Sequence, residues 1–220
     1  KLGGVVARWS DDTFLLRLAY SRYQLDIEQP AAVTAAFNAL INLPAAQCLN
    51  CAQILPVRYR THDVNASLLT VGGSARLGDT LLQGEWQRRL SNSNFLNDVS
   101  AWYVHASHRV GQFTPYVSWG RSTVREPRLG LRPGPNASPA FASRLEFIDR
   151  LGLQGVGERR QLDLGLRWDF REAMALKAQW TRHDITQRDI GSGQAVTFPI
   201  PSSRFDGRVN VYSLNVDFVF

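Results

Sequence analysis

His105, His108 and His183 invite a catalytic reading, and two of them have a possible helper beside them: Ser107 precedes His108, and Asp184 follows His183. A histidine with a serine or a carboxylate in hydrogen-bonding reach is the equipment of acyl transfer and hydrolysis. In an extended chain, however, adjacent side chains point to opposite faces, so Ser107 cannot serve His108 directly. No Gly-x-Ser-x-Gly elbow accompanies them either, and no catalytic residue is assigned. Cys48-Leu49-Asn50-Cys51 has the spacing of a thiol-exchange pair. As a metal site it would need two further ligands, and His62 is the only histidine nearby, so no metal and no cofactor is expected.

What must hold these residues is read from the period of the chain. Backwards from the end, Tyr212, Leu214, Val216, Phe218 and Phe220 alternate with Ser213, Asn215 and Asp217. Leu162, Leu164, Leu166, Trp168 and Phe170 alternate in the same way with Gln161, Asp163, Gly165, Arg167 and Asp169. A period of two is a strand with one apolar and one polar face. Val5 to Trp9, Phe14 to Leu25, Ser67 to Leu77, Leu81 to Arg89, Ser100 to Val110, Phe113 to Ser122 and Met174 to His183 follow with less regularity, giving nine strands. Most exceed the usual strand length of about five to six residues and match the roughly nine to eleven that cross a bilayer at a tilt.

The connections alternate in length. Ser10 to Thr13, Gly78 to Thr80, Gly111-Gln112 and Arg171 to Ala173 are tight turns, whereas about 26–64, 90–99, 123–159 and 184–208 are long. Short turns at one end and long loops at the other describe an antiparallel transmembrane β-barrel. A soluble sandwich shows no such alternation and would gather aromatics at strand middles. Here Trp9, Phe14, Tyr20, Trp102, Phe113, Trp119, Trp168, Phe170, Trp180 and Phe220 lie near strand ends, where interfacial girdles belong. No stretch is apolar enough for a spanning helix.

By the same alternation the polar face carries Arg8, Arg17, Arg76, Glu85, Arg89, Arg109, Asp163, Arg167, Lys177 and Asp217. Unpaired charges in a packed core cost several kcal/mol each. In a water-filled lumen they cost little, and their basic excess favours anions. The formal charge of +6 could also suggest nucleic acid, but the arginines are spread about one per strand and no nucleic-acid motif accompanies them.

Val209-Asn210-Val211-Tyr212-Ser213-Leu214-Asn215-Val216-Asp217-Phe218-Val219-Phe220 resembles the terminal strand of Gram-negative outer-membrane proteins. Thr13 to Tyr20, Ala101 to Val104 and Gln112 to Val117 resemble hairpins in the C-terminal part of porin-like barrels of about sixteen strands. The resemblance spans essentially the whole chain. It implies an outer-membrane location, contact with lipid, delivery by the barrel-assembly machinery that reads Phe220, and a possible homotrimer.

With Phe220 on the periplasmic side, counting strands backwards puts Lys1 at the extracellular end. Bacterial barrels have even strand numbers, so 1–220 reads as one barrel unit that lacks N-terminal strands, with loop insertions at about 26–64 and 123–159. In the first insertion a helix is expected from Ala31 to Leu43, with Val33, Phe37, Leu40 and Ile41 on one face. Pro139 to Gly152 repeats the theme with Phe141, Leu145 and Ile148. Either loop could narrow a lumen as a constriction or cap it from outside. Cys48 and Cys51, in a loop exposed to an oxidising compartment, read as a local disulfide.

The function expected is passive diffusion of small hydrophilic solutes with a mild anion preference, and no enzymatic step. The alternatives are a plugged structural or adhesion barrel whose loops bind a partner, favoured by apolar loop segments such as Val196 to Ile200, and, third, a barrel hydrolase.

Overall fold

The computed structural model describes residues 1–29, 31–125, 130–151, 157–187 and 207–218, side chains at 32, 33, 36 and 147–151 excepted. Phe220, the 196–200 segment and the side chains of Val33 and Ile148 lie outside the described residues.

Nine strands form one antiparallel meander in chain order: β1 (Leu2–Ser10), β2 (Phe14–Leu25), β3 (Val64–Leu77), β4 (Thr80–Ser91), β5 (Val99–His108), β6 (Phe113–Val124), β7 (Gly157–Arg171), β8 (Met174–Gln187) and β9 (Arg208–Phe218). Several run further than the sequence period indicates. β7 begins at Gly157 because Glu158-Arg159-Arg160-Gln161 is polar on both faces and hides the alternation. β1 begins at Leu2 because Gly3 and Gly4, which carry no side chain to reveal a face, pair with Arg22 and Ser21.

The turns are built by local chemistry. The carboxylate of Asp11 accepts the backbone N–H groups of Thr13 (2.8 Å) and Phe14 (2.6 Å), an Asx turn that reverses the chain between β1 and β2. These two hydrogen bonds stabilise the ionised carboxyl and hold its pKa below the ordinary aspartate value. Gly111 takes φ +61° in the β5–β6 turn, where a side chain would be strained. The register shifts by one residue between Trp168 and Arg171, a β-bulge beside the β7–β8 turn.

At the opposite end the long connections hold three helices: α1 (Ala31–Ile41), α2 (Cys51–Arg58) and α3 (Pro139–Leu151). α2 was not expected, because Pro56 reads as a breaker; it costs the helix one hydrogen bond. The helix forms because Cys51 and Leu55 are fully buried and Cys48–Cys51 is a disulfide at its start, with Cα atoms 5.6 Å apart.

Leu40, Cys48, Cys51, Leu55, Tyr59, Leu131 and Leu145 make one small core, with Phe37, Ile41 and Phe141 against it. Phe37, Tyr59 and Phe95 pack ring to ring at centroid distances of 5.0–5.9 Å. Asn50 ties two of the loops: its Nδ2 donates to the Gly130 carbonyl (2.6 Å) and its Oδ1 accepts from the Arg132 N–H (2.9 Å). Ser93 donates its hydroxyl to the Arg60 carbonyl (2.6 Å) and brings in the third. The described parts of these three long loops thus form one cluster, the cap, with its own core, and among the described residues no helix approaches a strand within 8 Å, Cα to Cα.

Candidate functional site: the two faces of the sheet

Residues directly opposed in an antiparallel pair project to the same side of a sheet. The chain of partners Arg8, Arg17, Gly72, Glu85, Tyr103, Gly120, Gln161, His183 and Val209 crosses all nine strands in a single row. Counting in twos from that row puts Arg76, Arg89, Asp163, Arg167, Lys177 and Asp217 on the same face as Arg8, Arg17 and Glu85. Arg109 lies one residue past β5, beside the turn, where its Nε donates to the Gly111 carbonyl (3.2 Å). Arg159, which the sequence reading passed over, joins this polar face, with its guanidinium 3.2 Å from both ring nitrogens of His183.

The bases are not evenly spread in height. Arg8, Arg17, Arg76, Arg109, Arg167 and Lys177 all lie within a few residues of the short turns, whereas Arg89 and Arg159 stand at the loop end. Arg167 is held by Asp169 (2.8 Å) and Asp217 (3.4 Å), so its charge is locally balanced. Lys177 lies over the ring of Tyr116, with Nζ 5.2 Å from the centroid.

A polar network fills the middle of this face on β6, β7 and β8. Asp163 accepts hydrogen bonds from Thr181 (2.7 Å), Gln161 (3.0 Å) and Gln179 (3.4 Å), and Tyr116 donates its hydroxyl to Gln179 (2.7 Å). Tyr116 lies flat across the strand because its partner is Gly165: a Cβ there would stand 2.0 Å from Tyr116 Cζ. An aromatic on the polar face gives no alternation signal, so the sequence does not single it out.

The opposite face is apolar and exposed. Trp9, Phe14, Phe113, Trp168 and Phe218 line its turn-side margin, and Tyr20, Trp86, Trp102, Trp119, Trp180 and Tyr212 line its loop-side margin. The two belts are separated by six residues on β2 (Phe14 to Tyr20) and on β6 (Phe113 to Trp119), about 20 Å along a strand. Between them Leu16, Leu18, Val104, Val117, Leu164, Leu166 and Leu214 are 40–69% exposed. An uninterrupted apolar band bounded on both sides by aromatics is the outer surface that a membrane barrel presents to lipid.

No protein-family model and no curated protein matches the sequence. Among solved structures, in-vitro folded OmpT, an outer membrane protein of Vibrio cholerae, superposes with TM-score 0.57 at 10% identity, covering 99% of this chain and 55% of that one. A trimer form of the same protein gives 0.52 at 12% identity, covering 99% and 55%. An anion-selective porin from Comamonas acidovorans gives 0.51 at 11% identity, covering 84% and 38%. The fold is that of outer-membrane porin-like β-barrels. This chain spans about half the length of the V. cholerae barrel and less of the other.

In barrel terms the apolar band is the lipid face and the charged face is the lumen wall. The histidines divide between them. His105 shares a 2.8 Å hydrogen bond with Ser118 on the lumen wall, whereas His108, bonded to Thr80 (2.8 Å), faces outward. Ser107 is on the face opposite to His108, and Asp184 on the face opposite to His183. The carboxylate directly across from Ser118 is Asp163, and its hydrogen bonds come from Thr181, Gln161 and Gln179 rather than from His105. Asp163 is therefore not oriented on the histidine of this pair. In the cap, Phe37, Leu40 and Ile41 turn their apolar stripe into the core around the disulfide. That stripe is spent on holding loops together.

Proposed function

We propose that this chain builds part of the wall of an outer-membrane diffusion channel that passes small hydrophilic solutes with a mild preference for anions. The observation that carries this is the separation of faces: among the described residues, the strand-borne charges expected on the lumen side share one face across nine neighbouring strands, and the expected girdle aromatics, Phe170 at the bulge apart, take the other. The basic side chains gathered near the turns give the lumen an electropositive mouth at that end, which raises the local concentration of anions. No catalytic step is assigned to the His105–Ser118 pair.

β1 and β9 do not pair with each other, and an open sheet edge is not viable in hydrocarbon. Closing the barrel takes further strands, and assembly as a homotrimer fits the trimer form of one structural neighbour. The second reading is a barrel whose loops bind a partner; the disulfide-bearing cap with its own core is the feature that favours it.

Liposome swelling with the full-length protein tests the reading. Small neutral sugars should enter at a rate that falls with solute size, and small organic anions faster than cations of equal size. Liposomes that hold folded protein yet stay impermeable to all of these would transfer the assignment to the partner-binding barrel.

A further inference from the structure

The lipid face carries a second charged feature that the channel reading leaves unused. Just beyond the loop-side aromatic belt stands a ring of outward arginines. On the upward strands each follows an outward aromatic by two residues: Tyr20 then Arg22, Trp86 then Arg88, Trp119 then Arg121, Trp180 then Arg182. On the downward strand β7 the order inverts, with Arg160 before Leu162. Residues two apart share a face, so these arginines point where the aromatics point, toward lipid. The register makes them neighbours: Arg121 is directly opposite Arg160, Arg160 opposite Asp184, and Asp184 opposite Arg208.

Two acids are interleaved with the bases. Glu158 pairs with both Arg121 and Arg160, and Asp184 with Arg182 (3.2 Å) and Arg208 (3.7 Å). Each carboxylate thus gathers two guanidinium groups and leaves the pair with excess positive charge. Glu158 is 21% and Asp184 42% exposed, against 40–64% for the four arginine side chains, so all four bases reach the medium while one of the two acids is largely withdrawn. A depression of about 420 Å3 lies at the centre, with Trp119 and Leu162 as apolar lining and Arg160, Gln161, Arg182 and Asp184 as polar lining. The turn-side margin of this face lacks the counterpart: Arg171 at the β7–β8 turn apart, no outward arginine or lysine accompanies Trp9, Phe14, Phe113, Trp168 and Phe218 among the described residues.

We propose that this ring, centred on Arg121, Arg160 and Arg182, binds the phosphate groups of an anionic, multiply acylated lipid of the outer leaflet, whose chains run down the apolar band beneath. The proposal rests on the outer face meeting lipid and not on what the lumen passes. Guanidinium forks match phosphate oxygens in a bidentate way and are readily shared between two partners. The aromatic belt sets the depth of the glycerol or sugar level, placing the arginines two residues, about 7 Å along the strand, further toward water. The one-sidedness of the ring matches a membrane whose phosphate-rich leaflet lies on the loop side.

Native mass spectrometry of the full-length, detergent-folded protein tests this, using bisphosphorylated lipid A and the same lipid stripped of its phosphates. The wild type should retain the phosphorylated lipid at least about tenfold better. R121Q/R160Q/R182Q should abolish that preference, whereas the lumen-facing R17Q keeps it. The single variants R121Q, R160Q and R182Q, each expected to lower it by about twofold or more, serve if the triple variant does not fold. Equal retention of the two lipids by the wild type, an undiminished preference in the variants, or displacement of the lipid by inorganic phosphate overturns the proposal. Unchanged bilayer conductance in R121Q/R160Q/R182Q separates its failure from failure of the channel reading.

Discussion

Arg8 and Arg17 stand directly opposite each other on β1 and β2, two permanent positive charges on one face with both residues exposed. Like charges at opposed positions destabilise a sheet, and a dry interior would not tolerate them. The pair is compatible with the fold only where water screens it, which makes this location a sensor of the lumen's electrostatics.

R8Q/R17Q should therefore lower the anion-to-cation permeability ratio by about twofold in dilute salt. The change should shrink in concentrated salt, where the screening length drops to about 3 Å. Reversal potentials at two ionic strengths check both statements.

Leu214 and Ser213 are neighbours on β9 that face opposite ways, Leu214 toward lipid at mid-band and Ser213 toward the lumen. Leu214→Arg should cost about 2–4 kcal/mol in reversible unfolding from lipid vesicles. Ser213→Arg should cost under about 1 kcal/mol, because the new charge remains in water. Equal costs would mean that the register is misassigned.

The period of two made the sheet legible in advance, and with it the face of charges such as Arg17, Glu85, Asp163 and Asp217, because each strand meets two solvents of opposite character. It fails where both sides are wet. Glu158 to Gln161 is polar throughout, so the loop end of β7 was unread, and Arg159 with it. Arg121, Arg160 and Arg182 were passed over for another reason: each shares its face with an apolar neighbour two residues away, Trp119, Leu162 and Trp180, where a charge interrupts the alternation. α2 was hidden by Pro56, whose local cost is offset by packing of Cys51 and Leu55 that only the assembled cap provides.

Gly165 and Tyr116 form a coupled pair on the lumen wall. Gly165→Ala should destabilise by about 1–3 kcal/mol, since the new methyl collides with the tyrosine ring. In a Tyr116→Ala background the same change should cost well under half as much. A double-mutant cycle in urea measures the difference.

The Cys48–Cys51 disulfide closes a very short loop, worth about 2 kcal/mol by chain entropy. Because the cap has its own core, C48S/C51S should loosen the cap alone. Limited proteolysis should then cleave near residues 44–60 sooner, while the strands keep their resistance to denaturation by detergent.

Asp11 offers a pH test outside the spanning segments. Its carboxyl titrates below the usual aspartate value because the Phe14 and Thr13 amides stabilise the ionised form. The contribution to the turn is thus complete above the ordinary aspartate pKa and is lost as pH falls through the lowered one. The Phe14 amide proton should follow that lowered midpoint by NMR, and D11A should remove the titration.

The central claim is an open, water-filled lumen with a basic wall. Single-channel recording of the full-length protein in a planar bilayer, with reversal potential under a salt gradient, tests it most directly. The account predicts discrete openings and a reversal displaced toward the anion equilibrium potential. Folded protein that inserts and conducts nothing, or a reversal displaced toward the cation potential, would contradict it.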